Sequence, residues 1–186
     1  AGFRGIAEGL SQGASYSQFG DDFGQLARWT FYDIPLPAFL FTGILLVAGV
    51  VMSCMPAGRF IYAMGHNEKA ARFSGIEVGR IKLWVYTLSG LLAGLATLVY
   101  VSRFDTAKAD AGQNIELEVI TAVVIGGTSI FGGRGNLLGT LLGLLITHEA
   151  KLFVGRYWRI DELKSIVIGT LLIVTLLIQR GFHDRD

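Results

Sequence analysis

Apolar residues along this chain come in long unbroken runs rather than in stripes, and the runs have the length of a lipid bilayer. Residues 35–55, PLPAFLFTGILLVAGVVMSCM, carry no charge over roughly twenty positions, enough for a helix to cross about 30 Å of hydrocarbon. Residues 83–101 form a second uncharged run, with Trp84 and Tyr100 near its ends, where interfacial aromatics sit. A last span is expected over 162–180. The stretch 116–150 differs, because GGRG at 132–135 divides its apolar residues into 119–131 and 137–147. Pieces of about thirteen and about eleven residues are each too short to cross alone.

The polar segments give the expected topology. Residues 1–34 are glycine-rich, hold Asp21 and Asp22 with Phe19, Phe23, Trp29, Phe31 and Tyr32, and read as an ordered extracytoplasmic loop. Residues 56–82 carry Arg59, Lys69, Arg72, Arg80 and Lys82, and a basic excess in a short loop places it in the cytoplasm. Residues 102–118 then lie outside. Arg180 and Arg185 favour a cytoplasmic end, so the segment 116–150 must enter and leave on the outer face. Lys151, Arg156, Arg159 and Lys164 pull against that topology. The fold expected is all-α: a polytopic transmembrane bundle with a re-entrant or broken helix pair.

Composition agrees: 52% of residues are hydrophobic, only 17% are charged where a soluble domain has about 25%, and the mean hydropathy is +0.51. There are 25 glycines but 3 prolines, so the glycines fall within apolar segments, where small residues let helix backbones approach. Gly135, Gly139 and Gly143 recur every fourth residue and lay a stripe down one helix face. Ser89, Gly90, Ala93 and Gly94 make a similar face on the second span, and both are read as helix packing. A formal charge of +1 supplies no field to recruit nucleic acid. Cys54, the one cysteine, forms no internal disulfide and reads as a small buried hydrophobe. The first residues lack the pattern of a secretory signal, and the chain reads as a piece of a longer polypeptide.

Little here supports catalysis or metal binding. HEAKL at 148–152 lacks the second histidine of a zinc helix, and GGRGNLLG sits in an apolar helical context rather than after a soluble strand. Glu149 is read as interfacial. The break IGGTSIFGGRG at 125–135 is more informative, since non-helical backbone at membrane depth is tolerated only when buried in protein or lining a watery cavity. Broken helices of this kind mark transport pathways, and a tight extramembrane turn is the competing reading. Arg134 should face a cavity, a carbonyl cluster or the interface. In the polar loop, Asn67 is placed to cap a short helix over 67–73, Gly75 to end it in a left-handed turn, and Ala70 and Ala71 to dock it in a partner's groove.

The strings GRFIYAMGHNEKAARFSGIEVGRIK and ELEVITAVVIGGTSIFGGRGNLLGTLLG, in this order and separation, resemble the permease of bacterial ABC importers of the ribose, simple-sugar and autoinducer-2 group. The likeness covers roughly residues 56–146, and such permeases are about twice this long, so the chain looks like a C-terminal half. The resemblance implies a multi-pass protein of the bacterial inner membrane that works with cytoplasmic ATP-binding cassette subunits, an extracytoplasmic sugar-binding protein and a second permease copy or paralogue. It implies no cofactor in this chain, ATP and Mg belonging to the partner ATPase. Gly65, Asn67, Ala70, Ala71, Ser74 and Gly75 match the loop that contacts the ATPase. Glu116, Gly126, Gly127, Thr128 and Ser129 match the segment near the translocation pathway. Two departures are THEAKLFVGRYWRIDE, where the family has an Asn/Gly-rich stretch, and Glu118, where it has Asp. A non-transporting membrane scaffold or receptor subunit is the alternative. An ion-coupled carrier would want midplane carboxylates that the uncharged spans lack.

Overall fold

The computed structural model describes residues 2–20, 23–24, 29–130, 132–158 and 161–183. The helices among them are α1 Gly2–Ser11, α2 Leu36–Cys54, α3 Pro56–His66, α4 Glu68–Phe73, α5 Val78–Phe104, α6 Ile115–Ile125, α7 Leu137–Trp158 and α8 Asp161–His183. Four two-residue strands accompany them: β1 Tyr16–Ser17, β2 Thr30–Phe31, β3 Ile34–Pro35 and β4 Thr106–Ala107. The chain divides into two compact units, residues 1–58 with 77–111 and residues 59–76 with 112–186.

In the first unit, α2 opens behind Pro35 with Pro37 in its first turn, where a missing amide costs nothing because that turn has no acceptor for it. It stops at Met55, which is extended (φ −96°, ψ 151°) as a residue before proline must be, and Pro56 starts α3. The bend is tight enough that a methyl on Gly58 would strike the Met52 backbone. α5 runs for 27 residues, longer at both ends than 83–101, and ends at Asp105 in the left-handed region. Around that end β1 pairs antiparallel with β4, Ser102 Oγ donates to the Phe23 carbonyl at 2.6 Å, and the Phe19 amide donates to Asp105 at 3.3 Å. The two segments expected outside, 1–34 and 102–118, are thus joined to each other. Cys54 is exposed, a correction to the buried reading: it lies on α2, a helix whose sides carry no buried residue.

The second unit packs α6, α7 and α8 against one another. Thr121, Ala122, Val124, Thr147, Val154 and Ile168 form its buried centre. Here the structure corrects the reading of 137–147 as too short to span. α7 continues through HEAKLFVGRYW, and its residues Leu137–Tyr157 are long and apolar enough to cross a membrane, as are α2 and α5. The physical reason is that His148, Glu149, Ala150 and Lys151 do not stop a helix, and the charge of Lys151 is answered across the helix pair by Glu118. α8 holds a shorter apolar stretch, Leu163–Leu177. Threonines in both units return their hydroxyls to the carbonyl four residues earlier, as Thr87 does to Leu83 and Thr147 to Gly143. That bond leaves no free donor toward lipid.

Candidate functional site

Two local devices built from glycine and asparagine define the candidate site, and both lie in the second unit. The first is the loop helix α4. Six residues do not hold a helix alone, so its ends carry it. Asn67, extended at φ −155°, accepts the Ala70 amide on Oδ1 at 3.0 Å. At the other end Gly75 (φ +83°) donates to Arg72 and Ile76 donates to Ala71, the paired bonds of a Schellman stop. Glu68 in the first turn and Arg72 in the last complement the helix dipole. Ala71 is buried, whereas Glu68, Lys69, Ala70, Arg72, Phe73 and Ser74 are exposed. Phe73, 93% exposed, is the largest apolar side chain on that face. Composition and motif spacing gave no hint of it, because only the position of Ala71 on the inner face shows that Phe73 points away.

The second device is the broken helix. α6 carries Glu116 and Glu118 in its first turn and ends in the same way as α4: Gly127 (φ +84°) donates to Val124 and Thr128 to Val123. The stop is braced from α8, where Gln179 Nε2 donates to the Val124 carbonyl, which also receives the Gly127 amide, at 3.2 Å and to the Thr128 carbonyl at 3.3 Å. The chain then turns through Ser129, whose amide donates to the Arg134 carbonyl, and Asn136 receives the Leu138 amide on Oδ1 to open α7. Arg134 itself is exposed. Phe131 lies outside the described residues.

α6 and α7 run antiparallel with their backbones in contact. A methyl on Gly139 would strike the Gly126 carbonyl, one on Gly143 the Ala122 carbonyl, and one on Gly135 would come 3.2 Å from Thr128. Further along the pair, Lys151 Nζ meets Glu118 at 2.6 Å. The residues of the pathway reading are therefore divided. Gly126, Gly127, Thr128 and Ser129 share the break, with the Thr128 hydroxyl 3.5 Å from that of Thr140, while Glu116 stands about 15 Å away at the other end of α6. Gly65, Asn67, Ala70, Ala71, Ser74 and Gly75 stay together, Gly65 at the end of α3, Ala70 and Ala71 on α4, and Asn67, Ser74 and Gly75 at its two ends. Gly90 and Gly94 lie in the first unit, on α5, with nothing within 4 Å of an added methyl. His148 and Glu149 are exposed on α7, and no group of three or more His, Cys, Asp or Glu side chains is placed to hold a metal among the described residues.

The Gln179 brace and the Glu118–Lys151 pair were invisible to sequence reasoning. Each joins residues 33 to 55 positions apart, and no local pattern marks such partners.

Comparison with known proteins adds the family. Residues 2–176 match the family described as branched-chain amino acid transport system / permease component. The ribose import permease protein RbsC of Bacillus subtilis is 37% identical over 180 residues, which is 96% of this chain and 56% of that protein. RbsC of Escherichia coli K12 is 43% identical over 131 residues, 70% of this chain and 41% of that one. The autoinducer 2 import system permease protein LsrD of Photorhabdus temperata is 33% identical over 159 residues, 86% of this chain and 48% of that one. The chain thus spans about half the length of the curated relatives it matches. No solved structure gives a significant match. A multi-pass helical protein of the inner membrane with apolar helices of spanning length, this chain belongs to the permease-component family of the branched-chain amino acid transport type.

Proposed function

We propose that this chain is the C-terminal part of the membrane subunit of an ATP-driven ABC importer. It passes a monosaccharide, or a related small polyol or autoinducer, from an extracytoplasmic binding protein to the cytoplasm. The observation that carries the reading is α4, a helix too short to stand alone, capped at both ends and presenting Ala70 and the exposed Phe73 on a basic loop. A rigid, pre-formed helix suits insertion into a groove of a partner subunit, because little ordering entropy is lost on docking. Kinship with import permeases for ribose and autoinducer 2 supports the solute class.

No chemistry on the solute is involved. ATP binds and is hydrolysed with Mg in the cytoplasmic cassette subunits. Closure of those subunits pulls the loop around Asn67–Gly75, and the spans rock so that a central path opens to one side and then the other. A second permease copy or paralogue completes that path, and specificity rests mainly with the binding protein.

The test is uptake of labelled ribose and autoinducer 2 by the full-length permease reconstituted with its cassette and binding proteins. Co-purification with the cassette subunit and ATP-dependent uptake are expected. Gly75→Trp, which puts a side chain at φ +83°, should reduce both stimulated hydrolysis and uptake. Intact transport by that variant would overturn the assignment of α4. Assembly without any solute movement would favour the scaffold reading.

A further inference from the structure

The end of α3 and the turn between α6 and α7 meet backbone to backbone. Tyr62, Gly65 and His66 stand at i, i+3 and i+4, one face of α3, and all three reach the same turn. The Tyr62 hydroxyl donates to the Gly135 carbonyl at 3.1 Å. A methyl on Gly65 would lie 2.8 Å from the Gly133 nitrogen, and one on Gly133 would lie 2.9 Å from His66 Cα. One on Gly132 would strike the Gly65 carbonyl. Gly132 (φ +91°) and Gly133 (φ +74°) are both left-handed, so glycine is needed here twice over, for conformation and for space.

The place of this contact matters as much as its closeness. His66 is followed directly by Asn67, the cap of α4. On the other side, the turn leads back to Gly127 and the Gln179 brace, and forward through Gly135 to the glycine faces that lock α7 onto α6. No flexible side chain separates the α3 backbone from the turn, and close-packed backbone transmits displacement rather than absorbing it. Gly65, which the resemblance matches to the loop that contacts the ATPase, has its α-carbon against the turn.

We propose that Gly65 and the Gly132–Gly133 turn form a rigid joint that carries movement of α4 into the α6–α7 pair, with Tyr62 as its positioning residue. The joint stays closed through the transport cycle. The proposal rests on the importer reading above, and the experiment separates the two.

In the full-length permease, amide hydrogen exchange at Gly65 and His66 reports on the joint directly: it should be equally slow with and without ATP, and Gly132→Ala, whose methyl wedges the Gly65 carbonyl away, should speed it. Unchanged exchange in that variant overturns the contact, and protection lost with ATP in the unsubstituted permease overturns the closed joint. Gly132→Ala should lower solute moved per ATP hydrolysed about tenfold, while the cassette subunit still co-purifies and hydrolyses ATP. Tyr62→Phe, which removes one hydroxyl and no packing, should lower the same ratio by a smaller factor. An unchanged ratio in both variants overturns the proposal. Absence of uptake by the unsubstituted permease counts against the importer reading instead, and amide exchange at Gly65 and His66 still reports on the joint.

Discussion

Two faces of small residues, alike in sequence, have different surroundings in this molecule. On α7, Gly139 and Gly143 lie against the end of α6 so closely that added methyl groups would overlap the Gly126 and Ala122 carbonyls, while Gly135, expected on the same helix face, lies in the turn before α7 beside Thr128. On α5, Gly90 and Gly94 leave room for a methyl with nothing within 4 Å. A stripe of small residues permits close approach but does not supply the partner. α7 has one because the Gly127 stop and the short turn return the chain antiparallel to itself, so that the hairpin places glycine opposite glycine. Lipid is as apolar as leucine, so dispersion between the touching backbones, rather than exclusion of water, holds α6 to α7.

The largest expected effect therefore belongs to α7. Gly143→Val should destabilise the full-length permease by about 3 kcal/mol or more, because its β-carbon meets the Ala122 carbonyl and lies 2.8 Å from the Gly126 nitrogen. Neither of these backbone atoms can yield without unwinding α6. Thermal unfolding in detergent checks this, and a variant as stable as the parent would mean that the two backbones are not in contact.

Next comes the ion pair that closes the open end of the same hairpin. Glu118 and Lys151 are only partly exposed, which puts the pair between the weak surface case and the costly buried one. Glu118→Gln should cost about 1–2 kcal/mol, since it leaves the Lys151 ammonium in a poorly solvated place without its counter-charge. The exchanged pair, Glu118→Lys with Lys151→Glu, should recover only part of the loss. It restores the attraction but puts a cation in the first turn of α6, against the helix dipole. Full recovery would show that the dipole contributes little here.

How far the sequence reveals this arrangement follows from the range of each interaction. Asn67 and Gly75 were legible because a cap acts over three residues and a left-handed stop over one. The same local chemistry made the break after Ile125 visible. α3 was hidden inside a basic segment that reads as a loop, because one face of it packs on a turn some seventy residues away, at Gly132 to Gly135. The true length of α7 was hidden for a related reason. His148, Glu149 and Lys151 look like the edge of a membrane until Glu118 is seen beside Lys151.

The α4 caps predict a smaller change. Asn67→Ala removes the acceptor of the Ala70 amide and should cost α4 about 1 kcal/mol, whereas Asn67→Asp, which keeps the acceptor, should cost almost nothing. Faster amide exchange at Ala70 and Ala71 in the alanine variant, with α7 unaffected, is the expected signature. Equal exchange in the two variants would mean that packing around Ala71, rather than the cap, holds the helix.

The smallest effect tests the other side of the comparison. In open surroundings, Gly94→Ala adds a methyl that touches nothing and lowers the backbone entropy lost on forming the helix. Stability should then rise by about 0.5–1 kcal/mol. The same substitution turns unfavourable wherever another helix lies against that face, because the methyl must then displace a backbone as it would on α7. The sign of the change in the full-length permease, measured alone and again after assembly with a second copy, thus locates the partner of α5. A gain in both states leaves the face to lipid. A loss already present in the single chain assigns the face to another helix of the same polypeptide, and a loss seen only on assembly assigns it to the interface between copies.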